Sequence, residues 1–147
     1  MKILIANGVN LDLLGSRPSQ HYGDQTLKDL ETYLTREALV LENIFDRKIE
    51  LTFFQSNDEG KFLEQISLSW DGALMNPGAW THTSLALADR LEALKLPFVE
   101  VHLSQLYQRE SYRQQSYLSK HALGVVCGFG FASYSVGLHG LLQSLLR

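Results

Sequence analysis

Two side chains that could exchange protons, Glu100 and His102, stand two residues apart in the sequence. In a β-strand, residues at this spacing point to the same face, so the carboxylate can hydrogen-bond one ring nitrogen of the imidazole. Such a partner fixes the histidine tautomer and raises the basicity of the other nitrogen, which suits a general acid. A histidine that merely lies beside a solvated glutamate fits the pattern equally well. The pair alone leaves both interpretations open.

A loop at residues 15–23 contains the second candidate pair, Arg17 and Tyr22. A free tyrosine titrates at roughly pH 10, which is too high for a base at neutral pH, whereas a neighbouring guanidinium favours the tyrosinate. The loop precedes the first predicted helix, and we expect it to fold over the site as a lid. Taken alone, an exposed arginine and a packing tyrosine are the commoner explanation of such a loop.

The segment Asn-Pro-Gly-Ala at residues 76–79 predicts a turn whose N–H groups could hold a carboxylate or phosphate, although a plain turn is an equally good interpretation. Other chemistries lack their motifs, because the sequence has no nucleotide-binding glycine loop, no Gly-x-Ser-x-Gly turn and no His-Glu-x-x-His motif. Cys127 is the only cysteine, which excludes a disulfide within this sequence and a cysteine-based zinc site. We expect Cys127 to be a buried core residue. Acid–base chemistry therefore remains.

Five apolar stretches predict the β-strands that must position these residues: 2–6, 49–55, 72–75, 97–101 and 123–127. The first, third and fifth are almost continuously apolar, which is typical of strands covered on both faces. Apolar residues at helical spacing lie between the strands. A capping box at Thr26–Asp29 predicts the start of the first helix, and Thr83 or Ser84 is expected to begin the third. The alternation predicts one α/β domain over residues 1–147, a flavodoxin-like three-layer sandwich with a five-stranded parallel sheet.

Polar residues follow four of the predicted strands. In an open parallel sheet, ligands bind beyond the carboxyl ends of the strands, where the strand order reverses. The segments that reach this edge are rich in amides, imidazoles and hydroxyls: residues 7–10, 55–57, 76–83 and 100–105. Their clustering predicts one functional site at that edge.

Composition narrows the function classes. The formal net charge is −3, the pI is about 5.9 and basic residues do not cluster, which disfavours binding to nucleic acids or anionic membranes. Glycines interrupt the apolar stretch at residues 123–146, so a strand and a buried helix are predicted there rather than a membrane span. The single cysteine fits a reducing cytoplasm, where we expect the protein to reside.

Six motifs along the chain carry a family resemblance. They are Asn7-Gly8-x-Asn10-Leu11, Gly15-x-Arg17…Tyr22-Gly23, Gln55-Ser56-Asn57-x-Glu59-Gly60, Asn76-Pro77-Gly78-Ala79-x-Thr81-His82-Thr83-Ser84, Glu100-Val101-His102-Leu103-Ser104 and Arg109-Glu110…Arg113…Ser116-Tyr117. In order and spacing these motifs resemble those of the type II 3-dehydroquinate dehydratases, over nearly the whole chain.

The resemblance implies a flavodoxin-like fold, a homododecamer built from trimers, and a step of the shikimate or quinate pathway. It also implies a cofactor-free anti elimination of water that converts 3-dehydroquinate to 3-dehydroshikimate through an enolate. In this reaction Tyr22 matches the family's base and Arg17 its activating partner. Asn10 matches the residue that holds a water against the enolate oxygen. His102 matches the general acid, oriented by Glu100.

Substrate-binding groups are implied by the same resemblance. Backbone groups of Leu103 and Ser104 would hold the substrate carboxylate. The ring hydroxyls would be bound by Asn76, His82 and Arg113.

Asp89 is expected to reach the site of a neighbouring subunit, and Arg109 matches a second arginine of the lid region. The sequence departs from residues common in the family at Val9, Pro18-Ser19, Gln105, Tyr107 and Gln114-Gln115. None of these departures removes a proposed proton-transfer group.

Two other functions fit parts of the same pattern. A non-catalytic small-molecule binder or assembly protein could use the same cleft. A phosphoacceptor receiver domain would share the fold, and fold does not determine function. The receiver needs acidic residues after the first strand, where this sequence has Asn7 and Asn10, so we discard it.

Overall fold

The computed structural model describes residues 1–16 and 24–147. Within these residues, a five-stranded parallel sheet has the strand order β2-β1-β3-β4-β5. Its strands are β1 Lys2–Asn7, β2 Glu50–Gln55, β3 Gly72–Asn76, β4 Phe98–His102 and β5 Gly124–Cys127. The predicted parallel sheet is confirmed, and its order is that of the flavodoxin-like folds.

The α-helices of the described residues are α1 Leu27–Phe45, α2 Glu59–Ile66, α3 Leu85–Leu94 and α4 Ala132–Leu145. Short 3-10 helices cover Leu11–Leu13, Gly78–His82, Leu106–Gln108 and Ser111–Arg113. The predicted capping box precedes α1, where Thr26 and Asp29 bond each other's backbone N–H groups. Ser84 caps α3 by accepting a bond from the N–H of Leu87. Both helix starts are confirmed.

Alternate residues of each strand pack on opposite faces of the sheet, which produces the three layers. Ile3 and Ile5 of β1 pack with α1 and α4, whereas Leu4 and Ala6 pack with α2 and α3. The sheet is therefore covered by two helices on each face over its central strands.

The same alternation continues into the polar residues at the strand ends. Leu74 of β3 packs on the α1–α4 face, and Asn76 follows it by two residues. Phe98 of β4 packs on the α2–α3 face, and Glu100 and His102 follow it at the same spacing. The polar groups of β3 and β4 thus point to opposite faces of the sheet.

The prediction that β5 is covered on both faces was wrong. Gly124 and Val125 are exposed, and Cys127, which we expected to be buried, is half-buried. The reason is that β5 is the last strand of the sheet, paired only with β4, so that Val126 packs on the α1–α4 core while the other face is open. An apolar run does not tell a central strand from an edge strand.

The apolar stretch at residues 123–146 forms β5 and α4, as predicted. Across residues 1–16 and 24–147, none of the helices combines the length and the apolar character that crossing a bilayer requires.

Candidate active site

The carboxyl ends of β1, β3 and β4 meet at one edge of the sheet, as the sequence predicts. Asn7 at the end of β1 lies beside Asn76 at the end of β3. The turns that follow are in backbone contact, because a Cβ on Gly8 would lie 2.3 Å from the Pro77 carbonyl oxygen and one on Gly78 2.5 Å from the Val9 carbonyl oxygen. Gly78 also has a positive φ of 65°. Glycine is required at both positions.

Glu100 and His102 form a buried pair at the end of β4. The Nε2 atom of His102 lies 2.7 Å from Glu100 Oε1. His102 is 5% exposed and Glu100 is 0% exposed. The predicted pairing across two residues of one strand is confirmed. Since the carboxylate bonds Nε2, Nδ1 is the nitrogen that remains for proton exchange with a ligand.

His82 lies against this pair. Its ring stacks on that of His102, with centroids 6.4 Å apart and planes 18° from parallel. His82 Nδ1 lies 2.6 Å from the carbonyl oxygen of Gln115, to which it donates. Burial lowers the pKa of His82 from its ordinary value, and the positive charges of His102 and Arg113 act in the same direction. Near neutral pH, His82 is therefore an uncharged hydrogen-bonding group.

Asn76 belongs to a second buried network, which the sequence did not reveal. Its Nδ2 donates to the hydroxyl of Tyr134 at 2.9 Å, and that hydroxyl donates to Asn7 Oδ1 at 2.6 Å. Asn76 Oδ1 accepts from the N–H of Gly78, so the amide keeps one N–H for a ligand. Burial raises the pKa of Tyr134, which keeps this phenol protonated. The only sequence signal for this network was the position of Tyr134 on the apolar face of α4.

Asn10 follows β1 in the left-handed conformation, with φ 66° and ψ 7°. Asparagine is among the residues that adopt this conformation most readily. Its N–H donates to Asn57 Oδ1 at 2.8 Å, which joins the loops that follow β1 and β2. The side chain is exposed at the edge of the sheet, where the sequence placed it.

Arg109 and Arg113 converge on one carboxylate after β4. Their Nε atoms lie 3.7 Å and 3.3 Å from Glu110 Oε2. The pKa of Glu110 is lowered, first by a hydrogen bond from its own backbone N–H and then by these two guanidinium groups. Arg113 also acts electrostatically on His82, so it lies close to the histidine pair.

The remaining predicted site residues that the structure describes, which differ in their exposure, are Leu103, Ser104 and Asp89. The carbonyl of Leu103 accepts a bond from the N–H of Gly130, and Ser104 is half-buried beside it. Asp89 is exposed on α3, and its side chain forms no hydrogen bond or ion pair among the described residues. Among the described residues of a single chain, no hydrogen bond or ion pair links the Asp89 side chain to His82 or His102.

Arg17 and Tyr22 lie outside the described residues, so their assigned roles stay predictions. Among residues 1–16 and 24–147, no group of three or more His, Cys, Asp or Glu side chains is arranged to hold a metal ion.

Comparison with known proteins identifies the family to which this chain belongs. A family model described as dehydroquinase class II matches residues 1–142. The chain belongs to the class II dehydroquinase family. The 3-dehydroquinate dehydratase of Synechococcus sp. (strain CC9605) is 47% identical over 150 aligned positions, which cover 100% of this chain and 99% of that protein. The type II dehydroquinase structure from Butyrivibrio crossotus covers 97% of each chain, with 32% identity and a TM-score of 0.88.

Gln105, Tyr107 and Gln114, three of the departures expected from the resemblance, lie together in this structure. Gln105 Oε1 accepts from the N–H of Tyr107 and from the thiol of Cys127, both at 3.4 Å. Gln114 Nε2 donates to the carbonyl oxygens of Tyr107 and Arg109, at 3.3 and 2.8 Å. The side chains of Gln105 and Gln114 therefore brace the loop that carries Arg109.

Proposed function

We propose that this class II dehydroquinase is a 3-dehydroquinate dehydratase, a hydro-lyase that forms 3-dehydroshikimate without a cofactor. The relatives named 3-dehydroquinate dehydratase match along the whole chain. The observation that carries the proposal is the buried Glu100–His102 pair at the carboxyl edge of the sheet. It supplies a proton donor at the place where an open parallel sheet binds its ligand.

The base in this proposal is the tyrosinate of Tyr22, with Arg17 as its activating partner. A nearby guanidinium stabilises the ionised phenol, which can then take the proton from the carbon beside the substrate ketone. Removal of this proton creates an enolate. Preorganised donors stabilise the developing charge, and the proposal assigns Asn10 to hold a water against the enolate oxygen.

The acid in this proposal is His102. As imidazolium, it donates the Nδ1 proton to the departing hydroxyl, while Nε2 stays bonded to Glu100. The carboxylate both fixes the ring and stabilises its positive charge. A base and an acid on opposite sides of the substrate ring would give anti elimination in two steps.

The substrate-binding residues that we propose are those that the family resemblance implies. Backbone groups of Leu103 and Ser104 hold the carboxylate. The side chains assigned to the rest of the substrate are Asn76, His82, Asp89, Arg109 and Arg113. The uncharged state of His82 and the remaining N–H of Asn76 suit hydroxyl groups, which both donate and accept.

We also propose a homo-oligomer, a dodecamer built from trimers, in the cytoplasm. Leu123, Val125 and Phe129 are apolar and 54%, 45% and 68% exposed around the open strand β5, which supports burial against other copies. Asp89 would then reach a neighbouring site. Light scattering of the purified protein tests the assembly, and a stable monomer would contradict it.

The function is tested by mixing the purified protein with 3-dehydroquinate and following the ultraviolet absorbance of the conjugated product. We expect turnover by the wild type and near-complete loss in Tyr22→Phe. Tyr33→Phe is the matched control, because it removes a phenol oxygen that bonds Ser135 between α1 and α4.

Each negative result has its own meaning. Full activity of Tyr22→Phe would remove Tyr22 from the role of base. If the folded wild type bound 3-dehydroquinate without converting it, the protein would be a small-molecule binder and not a dehydratase.

A further inference from the structure

The carboxylate of Glu100 has a second partner that the mechanism above does not use. Ser116 Oγ donates to Glu100 Oε2 at 2.8 Å, while the other oxygen of the carboxylate bonds His102. The same hydroxyl accepts bonds from the N–H groups of Leu118 at 3.0 Å and Ser119 at 3.1 Å. A hydroxyl has one proton and two lone pairs. Since both lone pairs are occupied, its proton is directed to Glu100.

The backbone on both sides of Ser116 is tied to the 3-10 helix Gly78–His82. The carbonyl oxygen of Gln115 accepts the bond from His82, and the N–H of Tyr117 donates to the carbonyl oxygen of Thr81 at 3.0 Å. These two bonds fix the position of the serine between them. Ser116 is therefore held against Glu100 by the segment that also holds His82.

We propose that Ser116 is a positioning residue that keeps the shared proton of the Glu100–His102 pair on the imidazole. This role in catalysis rests on the proposed dehydratase function. In the singly protonated pair, the proton lies either on Nε2 of His102, giving imidazolium and carboxylate, or on Oε1 of Glu100, giving two neutral groups.

The hydrogen bond from Ser116 selects between these two forms. A donated hydrogen bond stabilises a carboxylate more than a neutral carboxyl group, and more so in a buried site. It therefore favours the imidazolium form, which is the form that can protonate a leaving hydroxyl. Without it, the proton moves along the existing hydrogen bond from Nε2 to Oε1, and the ring becomes a neutral, weaker acid.

The other ionisable groups around the pair do not bond the Ser116 hydroxyl. His82 stacks on His102 from the 3-10 helix before α3, and Arg113 acts on His82 from the 3-10 helix Ser111–Arg113. Neither bonds Ser116 through its side chain. A change in proton position in a Ser116 variant thus reports on the serine hydroxyl itself.

The test compares Ser116→Thr with Ser116→Val, which have the same shape but differ in the hydroxyl. Imidazole ¹⁵N NMR spectra of the full chain without substrate, from about pH 5 to pH 9, report which ring nitrogens of His102 carry protons. We expect Ser116→Thr to match the wild type, with both nitrogens protonated in the singly protonated pair. In Ser116→Val, the Nε2 resonance should move toward its unprotonated position.

A control and a second readout complete the experiment. Ser119→Ala removes a hydroxyl from the same turn, 3.5 Å from the Ser116 carbonyl oxygen, and should leave the His102 spectrum unchanged. In turnover assays, kcat should fall about 10-fold in Ser116→Val and stay near wild type in Ser116→Thr. Should the β-branched variants fail to fold, Ser116→Ala replaces Ser116→Val against the wild type.

Identical Nε2 resonances in the wild type and the variant that lacks the hydroxyl would overturn the proposal. Failure of the wild type to convert 3-dehydroquinate would instead contradict the proposed function, because the NMR comparison needs no turnover. The two failures are thus distinguishable.

Discussion

Two buried polar networks lie at the same edge of the sheet, on opposite faces, and they differ in what they can do. On the α1–α4 face, the phenol of Tyr134 bonds Asn7 and Asn76, and every group is neutral. On the α2–α3 face, Glu100 and His102 form a hydrogen-bonded pair of ionisable groups. The first network fixes the ends of β1 and β3, whereas the second can change its charge.

The difference shows how one fold separates rigidity from reactivity. Buried neutral groups cost little when they are fully hydrogen-bonded, and their arrangement hardly changes with pH. A buried carboxylate is tolerated because an imidazole and a hydroxyl contact its two oxygens. The alternation of residues along the strands keeps the two networks apart.

The largest effect should come from removing the ionisable network's proton donor. We expect His102→Ala to lower kcat for dehydration about 1000-fold, since a positioned general acid contributes roughly 100- to 10,000-fold. His139→Ala is the control, because His139 is exposed on α4 and contacts Phe45. Near-normal turnover in the His102 variant, measured by product absorbance, would mean that another group is the acid.

A smaller effect is expected from Glu100→Gln, which keeps the shape of the carboxylate and removes its charge. Without that charge the imidazolium loses its stabilising partner, and the new amide can present N–H to Nε2. We expect kcat to fall about 10- to 100-fold with a changed pH profile. A pH profile that overlays the wild-type curve would show that Glu100 does not control the proton on His102.

The neutral network is tested by Tyr134→Phe, which removes one buried oxygen and leaves polar groups of Asn7 and Asn76 without their partner. We expect the free energy of unfolding to fall by about 1–3 kcal/mol. The KM should rise through Asn76, while the shape of the pH profile stays that of the wild type. Urea unfolding and kinetics measure both.

The contrast would be lost if Tyr134→Phe moved the pH profile, because the neutral network would then be coupled to proton transfer. Tyr33→Phe provides the reference for stability. Its phenol bonds Ser135 in a partly solvated position, so a smaller loss of unfolding free energy is expected.

The smallest effect concerns the pH dependence of stability at His82. Because the folded state lowers its pKa below the ordinary 6.5, the unfolded chain binds more protons between these two values. The contribution of neutral His82 to the free energy of unfolding is complete above pH 6.5. It is lost as the pH falls through the lowered pKa of the folded state. Between about pH 7.5 and 5.5, urea unfolding should show a larger loss of stability in the wild type than in His82→Gln. Equal losses would show that His82 does not contribute.

The parts of the fold and site that could be predicted depend on near neighbours. The strand positions, the capping box of α1 and the pairing of Glu100 with His102 follow from residues two to four positions apart. The polar ends of the strands also gave the correct edge of the sheet, because parallel strands bring their carboxyl ends together.

The sequence by itself thus determined the local periodicities and, through the resemblance, the family. Only the tertiary structure decided that Tyr134 bonds Asn7, 127 residues away, that Ser116 contacts Glu100 and that His82 stacks on His102. It also decided that β5 is an open edge. The physical reason is that these contacts depend on the strand order and the path of long connections, which no short pattern of residues encodes.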